Sequence, residues 1–258
     1  MPDPGIFDAI PLWAVFVGTM LLVIVAVGSG YHWAAHKHRA AVEKEAPVGT
    51  MVGTLLGLLA FLLAFTFGWA ADRYHDRKIA LLDEVNAIRA GYWQAGMIPE
   101  PERTEVRKLL RNYVEERLQW SGLEKVQVSL PSRALLDRLA AQAAFVGAQN
   151  PGGVDVFLGS VSEVIGLHTK REMLRDRSQI PVALWGALYL VAILSIAAMG
   201  YHGGVAGTAR SPVMLAVATA FSIVIILIAD LDRPGEGFIN VSQQPMIDLR
   251  DWMSESKP

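Results

Sequence analysis

The sequence predicts an all-α integral membrane protein: four transmembrane helices, with a helical cytosolic domain inserted between the second and third. Three observations carry this. The 258 residues are 52% hydrophobic with a mean hydropathy of +0.33. The apolar residues gather in four uncharged blocks, Ala9 to His36, Ala46 to Ala71, Ser178 to Ala209 and Ser211 to Ala229, each close to or above the ~20 residues an α-helix needs to cross a bilayer core. Between the second and third blocks the chain becomes charged and amphipathic. The expected division is therefore 1–71 for a first membrane hairpin, 72–179 for the helical domain, 180–230 for a second hairpin and 231–258 for a C-terminal tail.

The formal charge of −2 gives no argument for nucleic-acid binding. The absence of cysteine excludes disulfides and thiolate chemistry.

Residues 1–10, with two prolines and no basic residue, read as a short interfacial lead. The first span is expected at about 11–31, with Trp13 near one end and Tyr31 and Trp33 near the other, at headgroup depth. It reads as a retained anchor rather than a signal peptide, because nothing basic precedes it and Lys37 and Arg39 follow it. His32 and His36 share a helix face, but with no third ligand nearby they read as interfacial histidines and not a metal site. The short mixed-charge connector 38–47 makes the first two spans an antiparallel hairpin.

The second span, about 48–71, carries the most specific pattern in the chain. Gly49, Gly53 and Gly57 recur every four residues, Phe61 and Phe65 continue the interval, and the charged run Asp72 to Lys78 follows. Residues four apart advance ~400°, so Gly57, Phe61 and Phe65 fall within ~80° of one face. Two readings stand side by side. The stripe can be small-xxx-small packing against neighbouring helices, or a hydrophobic constriction lining an oligomer axis. Arg73, Arg77 and Lys78 can likewise be an interfacial anchor or the mouth of such a pore.

Beyond the span, Leu81, Leu82, Val85, Ile88 and Tyr92 keep near-helical spacing, so helix two is expected to continue out of the membrane until the break at Met97 to Pro101. Helices follow at Glu102 to Trp120, with the stripe Val106, Leu109, Leu110, Tyr113, Val114 and Leu118, at Pro131 to Ala148, and at Val154 to about Arg177. Asn150 to Gly153 marks a turn. The third and fourth spans are expected at about 181–200 and 212–230, joined by a Gly-rich loop from Tyr201 to Arg210 that lacks the Lys-Ser/Thr of a phosphate loop. An irregular segment and a short terminal helix complete the chain.

The count of basic residues near the membrane favours a cytosolic domain, with nine on the domain side and four opposite, whereas the flanks of the first helix argue the reverse. No GxSxG, HExxH or P-loop motif occurs, so an enzyme is not expected. No acid, Lys or Arg lies within a span except Asp230 and Asp232 at the end of the fourth, which disfavours a proton-driven transporter.

At Ala64-Phe65, Arg73-Tyr74, Asp76 and Arg77-Lys78, with Asn86 and Arg89 further on, the sequence resembles the bestrophin-like family, bacterial relatives of the bestrophin chloride channels. Ile98 to Arg103 leading into Leu109 to Tyr113 resembles that family as well, and so does Asp230 to Pro234 followed by Gly237 and Val241-Ser242. The resemblance implies a multi-pass protein of the bacterial inner membrane, with cytosolic termini, assembled as a ring, pentameric in true bestrophins, and passing small ions. The bestrophin neck maps to Gly57, Phe61 and Phe65, of which Gly57 departs from the apolar pattern. The acidic run of the animal calcium clasp is poorly represented by Asp230, Asp232 and Glu236, so neither calcium gating nor a cofactor is expected. The leading expectation is thus a homo-oligomeric, anion-conducting channel with Phe61, Phe65 and Gly57 at its constriction, Arg73, Arg77 and Lys78 at its mouth, and Gly49 and Gly53 in helix packing. The alternative is a non-conducting membrane scaffold or sensor whose helical domain binds a cytosolic partner.

Overall fold

The computed structural model describes residues 10–37, 45–119, 129–149, 155–176, 180–207, 212–233 and 237–255. The N-terminal lead, residues 38–44 of the connector and the turn at 150–153 lie outside the described residues. Eight α-helices are described: α1 (Leu12–Lys37), α2 (Glu45–Gln94), α3 (Glu102–Gln119), α4 (Ser129–Gln149), α5 (Asp155–Asp176), α6 (Val182–Val205), α7 (Pro212–Asp232) and α8 (Gln244–Glu255). Four helices, beginning at Leu12, Pro47, Val182 and Pro212, are long and apolar enough to cross a membrane.

The chain forms two compact units, Met1–Arg73 with Gln179–Ile239, and Tyr74–Ser178 with Asn240–Pro258. In the first, α1 packs along α6 and α7, and the core includes Val23, Ala26, Val52, Ile196, Met199 and Ala218. The close approach of α1 and α6 depends on glycine. A Cβ on Gly200 would collide with the Val27 backbone carbonyl, and one on Gly30 with that of Ala197. Gly204 faces Tyr31 and Ala34 in the same way. This contact carries both helices past their expected ends: α1 runs to Lys37 instead of about 31, and α6 to Val205 instead of about 200. The expected loop at Tyr201 is helix through its first turn, because Gly204 lets that turn lie against α1.

The second unit buries the stripe of α3 at Val106, Leu109, Leu110, Tyr113 and Val114 against Leu81, Val85, Ile88 and Tyr92 of α2. Leu139, Ala143 and Val146 of α4 and Phe157, Val161 and Val164 of α5 complete that core. The helix α2 ends in the one-turn 3₁₀ segment Ala95–Met97, just before the proline pair that cannot continue it. Residues 240–258 belong to this unit: Met246, Leu249 and Met253 of α8 join its core. The Tyr92 hydroxyl donates to the Met253 carbonyl at 3.4 Å, and the Arg89 guanidinium sits 5.5 Å from the Trp252 ring.

Candidate functional site: one exposed face of helix α2

Within the first unit, α2 separates its residues by side. Leu59, Leu63 and Ala70 are buried, whereas Phe61 and Phe65 are 68% and 64% exposed. Gly57 and Gly68, within ~60° of the direction of these rings, have room for a Cβ with nothing within 4 Å. One face of the helix therefore presents Gly57, Phe61, Phe65 and Gly68 in turn.

Gly49 and Gly53 do not mediate a close backbone approach within the chain. A Cβ at Gly49 would meet only the His202 side chain, at 3.0 Å, and Gly53 faces open space. The tight glycine contacts fall instead on Gly30, Gly200 and Gly204, outside the run with the most regular spacing. Contact between α2 and α6 is made by side chains: the Ser195 hydroxyl lies 3.1 Å from the Leu55 carbonyl and 2.7 Å from that of Val191.

The basic residues expected at the pore mouth follow the apolar stretch of α2. At 100° per residue, Arg73 lies ~100° from the mean direction of Phe61 and Phe65. Arg73 is nearly buried, 3.5 Å from the Asp232 carboxylate and stacked 4.5 Å over the Trp69 ring. Arg77 is half-buried and Lys78 exposed. The charged residue that does continue the phenylalanine face is Asp72, exposed and within ~10° of that direction. Asp76 follows one turn later, also exposed.

The two aspartates at the end of α7 have local structural partners. Asp230 accepts the backbone N–H groups of Phe238 and Ile239 at 2.9 and 3.0 Å, and Gly237, at φ +124°, makes room for its carboxylate. Asp232 accepts the Ile180 N–H at 3.0 Å. Among the described residues, no group of three or more His, Asp or Glu side chains is placed to hold a metal ion.

The comparisons with known proteins agree on one architecture. A crystal structure of a bacterial bestrophin homologue from Klebsiella pneumoniae superposes with a TM-score of 0.67 at 14% identity, over 95% of this chain and 98% of that one. A substituted form of a bestrophin homologue from the same organism gives 0.66 at 14% identity, over 93% and 97%. At such identity the likeness is one of fold. No curated protein matches the sequence. A family model described as the Bestrophin-like domain matches residues 17–246, and with nearly the whole chain inside that match, the protein belongs to the Bestrophin-like domain family.

Proposed function

We propose that the chain is one protomer of a ring-shaped, bestrophin-like ion channel in which α2 lines the axis. The observation that carries this reading is the face of Gly57, Phe61, Phe65 and Gly68. Each interior glycine costs a helix about 1 kcal/mol relative to alanine, and a Cβ at Gly57 or Gly68 would meet nothing within 4 Å. A lipid-facing strip gains nothing from them. On a symmetric axis they widen the lumen on either side of two rings of phenylalanine, a narrow dry constriction that ions cross only when it wets.

In this reading the helical domain is cytosolic, as the basic residues flanking the membrane favour. Anion passage is what the resemblance implies; against it stands the pairing of Arg73 with Asp232. The charge that shares the phenylalanine face is the carboxylate of Asp72, and a ring of carboxylates favours cations.

The test is reconstitution of the purified protein in planar bilayers under a KCl gradient. A conductance raised by Phe65→Ala, with a reversal potential on the cation side, is expected. No conductance, or one indifferent to Phe65→Ala, removes the assignment.

A further inference from the structure

The second unit seals a row of ionisable side chains in its core that the channel reading does not use. Glu84 on α2, Tyr113 on α3 and His168 on α5 are 0%, 1% and 3% exposed. They form a chain. The Tyr113 hydroxyl is bonded to Oε1 of Glu84 and lies 2.9 Å from Nδ1 of His168. On the other side of the imidazole, Nε2 lies 3.2 Å from Oε1 of Glu172. The far oxygens of the two carboxylates face cations: Oε2 of Glu84 meets Arg171 and, at 3.5 Å, Arg117, and Oε2 of Glu172 meets Arg133 at 2.8 Å.

The hydrogens in this chain do not suffice. Three contacts, Glu84 to Tyr113, Tyr113 to His168 and His168 to Glu172, need three hydrogens. The hydroxyl supplies one, a neutral imidazole supplies one whichever nitrogen carries it, and two carboxylates supply none. One contact is left with lone pairs face to face. At the end of the chain Nε2 of His168 and Oε1 of Glu172, 3.2 Å apart, are both sealed from solvent, and no hydrogen bond joins them.

We propose that the Glu84–Tyr113–His168–Glu172 chain is a buried proton-binding site, filled by one proton from solvent at Nε2 of His168, and that its filling changes how α2, α3 and α5 hold together. The site stands whether or not α2 lines a pore.

The surrounding charges set when it fills. Burial raises the Glu84 carboxyl, but Arg171, Arg117 and the Tyr113 hydrogen bond outweigh this and hold it below the usual carboxylate range, so the proton does not go there. For His168, burial and then Arg117 press its pKa below the usual histidine range, with Arg133 adding to them and Glu172 and Glu84 opposing. The site is therefore empty at neutral pH and fills on acidification. The sign follows from linkage. An unfolded histidine takes its proton near pH ~6.5, before the folded one does. The stability associated with neutral His168 is complete above that value and is lost as pH falls toward the lowered one. Acid loosens this unit.

The experiment is ¹⁵N-histidine NMR on the full-length protein in detergent, titrated from pH 8 to 4.5, on wild type and His168→Gln, Glu172→Gln and Arg133→Gln. Of the six histidines, one is expected to titrate below the others and to vanish in H168Q. R133Q, which removes the charge of Arg133 and its hydrogen bond to Glu172, is expected to raise its midpoint. E172Q places an amide donor against the empty Nε2 lone pair, which completes the chain without a proton and drives the midpoint down. If H168Q does not fold, the opposite movements in R133Q and E172Q identify the resonance. A His168 midpoint at the value of an exposed histidine, or one that moves with neither variant, overturns the proposal. So does an equal loss of thermal stability on acidification in wild type and H168Q.

Discussion

The guanidinium of Arg73 and the carboxylate of Asp232, 3.5 Å apart and only 12% and 10% exposed, join the end of the apolar stretch of α2 to the end of α7. Asp232 also accepts the backbone N–H of Ile180, one residue before the proline that opens α6. One carboxylate thus fixes three chain segments at the same end of the membrane unit. Removing one member of a nearly buried ion pair leaves the other desolvated and uncompensated, at a cost of about 3 kcal/mol or more. Asp232→Ala is expected to lower the thermal unfolding midpoint of the purified protein strongly. Asp232→Asn keeps an acceptor for Ile180 and is expected to lower it less.

The channel reading assigns different work to Phe61, Phe65 and Asp72. Phe61→Ala and Phe65→Ala each remove one ring from the constriction, so each is expected to raise single-channel conductance, and the double variant to raise it further. Asp72→Asn leaves the rings in place and removes the in-line charge. Its expected effect is a reversal potential closer to zero under a salt gradient, with conductance little increased.

Two glycine substitutions separate packing within the chain from packing between chains. Gly200→Ala drives a methyl group into the Val27 carbonyl, and relieving that contact by moving α1 and α6 apart is expected to cost about 1–3 kcal/mol. Gly53→Ala meets nothing within the chain and improves helix propensity by about 1 kcal/mol, so the protomer is expected to fold normally. If α2 faces its symmetry mates, native mass spectrometry of G53A will show weakened or lost rings. Intact rings with unaltered conductance would place Gly53 against lipid.

The elements were legible where one signal dominated. Four uncharged blocks gave the spans, and the 3.6-residue stripe of α3, Val106 through Val114, gave a helix whose buried side was the expected one. Regular spacing did not point to the tight glycine contacts within the chain. Recurrence every four residues fixes a shared face and says nothing of what lies opposite, and the glycines that meet backbone, Gly30, Gly200 and Gly204, belong to helices with less regular patterns. Arg73 was visible as a charge at a span's end, but its pairing with Asp232 joins residues 159 positions apart, which no local pattern reports. His168 was hidden for a related reason. In HTKREMLRDR it reads as one more polar residue on a solvated face, and only the packing of α2, α3 and α5 turns that side inward.

Tyr113→Phe tests the buried chain from its centre. The hydroxyl serves both Glu84 and His168, and its loss leaves a buried carboxylate oxygen without that donor, a cost of about 1–3 kcal/mol at neutral pH. The same substitution removes two of the three contacts. The one that remains, His168 to Glu172, is satisfied by the hydrogen a neutral imidazole already carries, placed on Nε2. Protonation would then add a hydrogen to Nδ1, facing a phenyl ring. Y113F is therefore expected to be less stable than wild type while showing its neutral His168 as the Nε2–H tautomer and binding its extra proton at lower pH. At the alkaline end, burial and the Glu84 charge hold the Tyr113 pKa well above the usual tyrosine range. The stability it contributes is complete below the ordinary tyrosine value of ~10 and is lost as pH rises past it. Unfolding curves from pH 8 to 11 are expected to show that loss in wild type and not in Y113F, and equal alkaline slopes would mean that Tyr113 is not the sealed hydroxyl on which the chain depends.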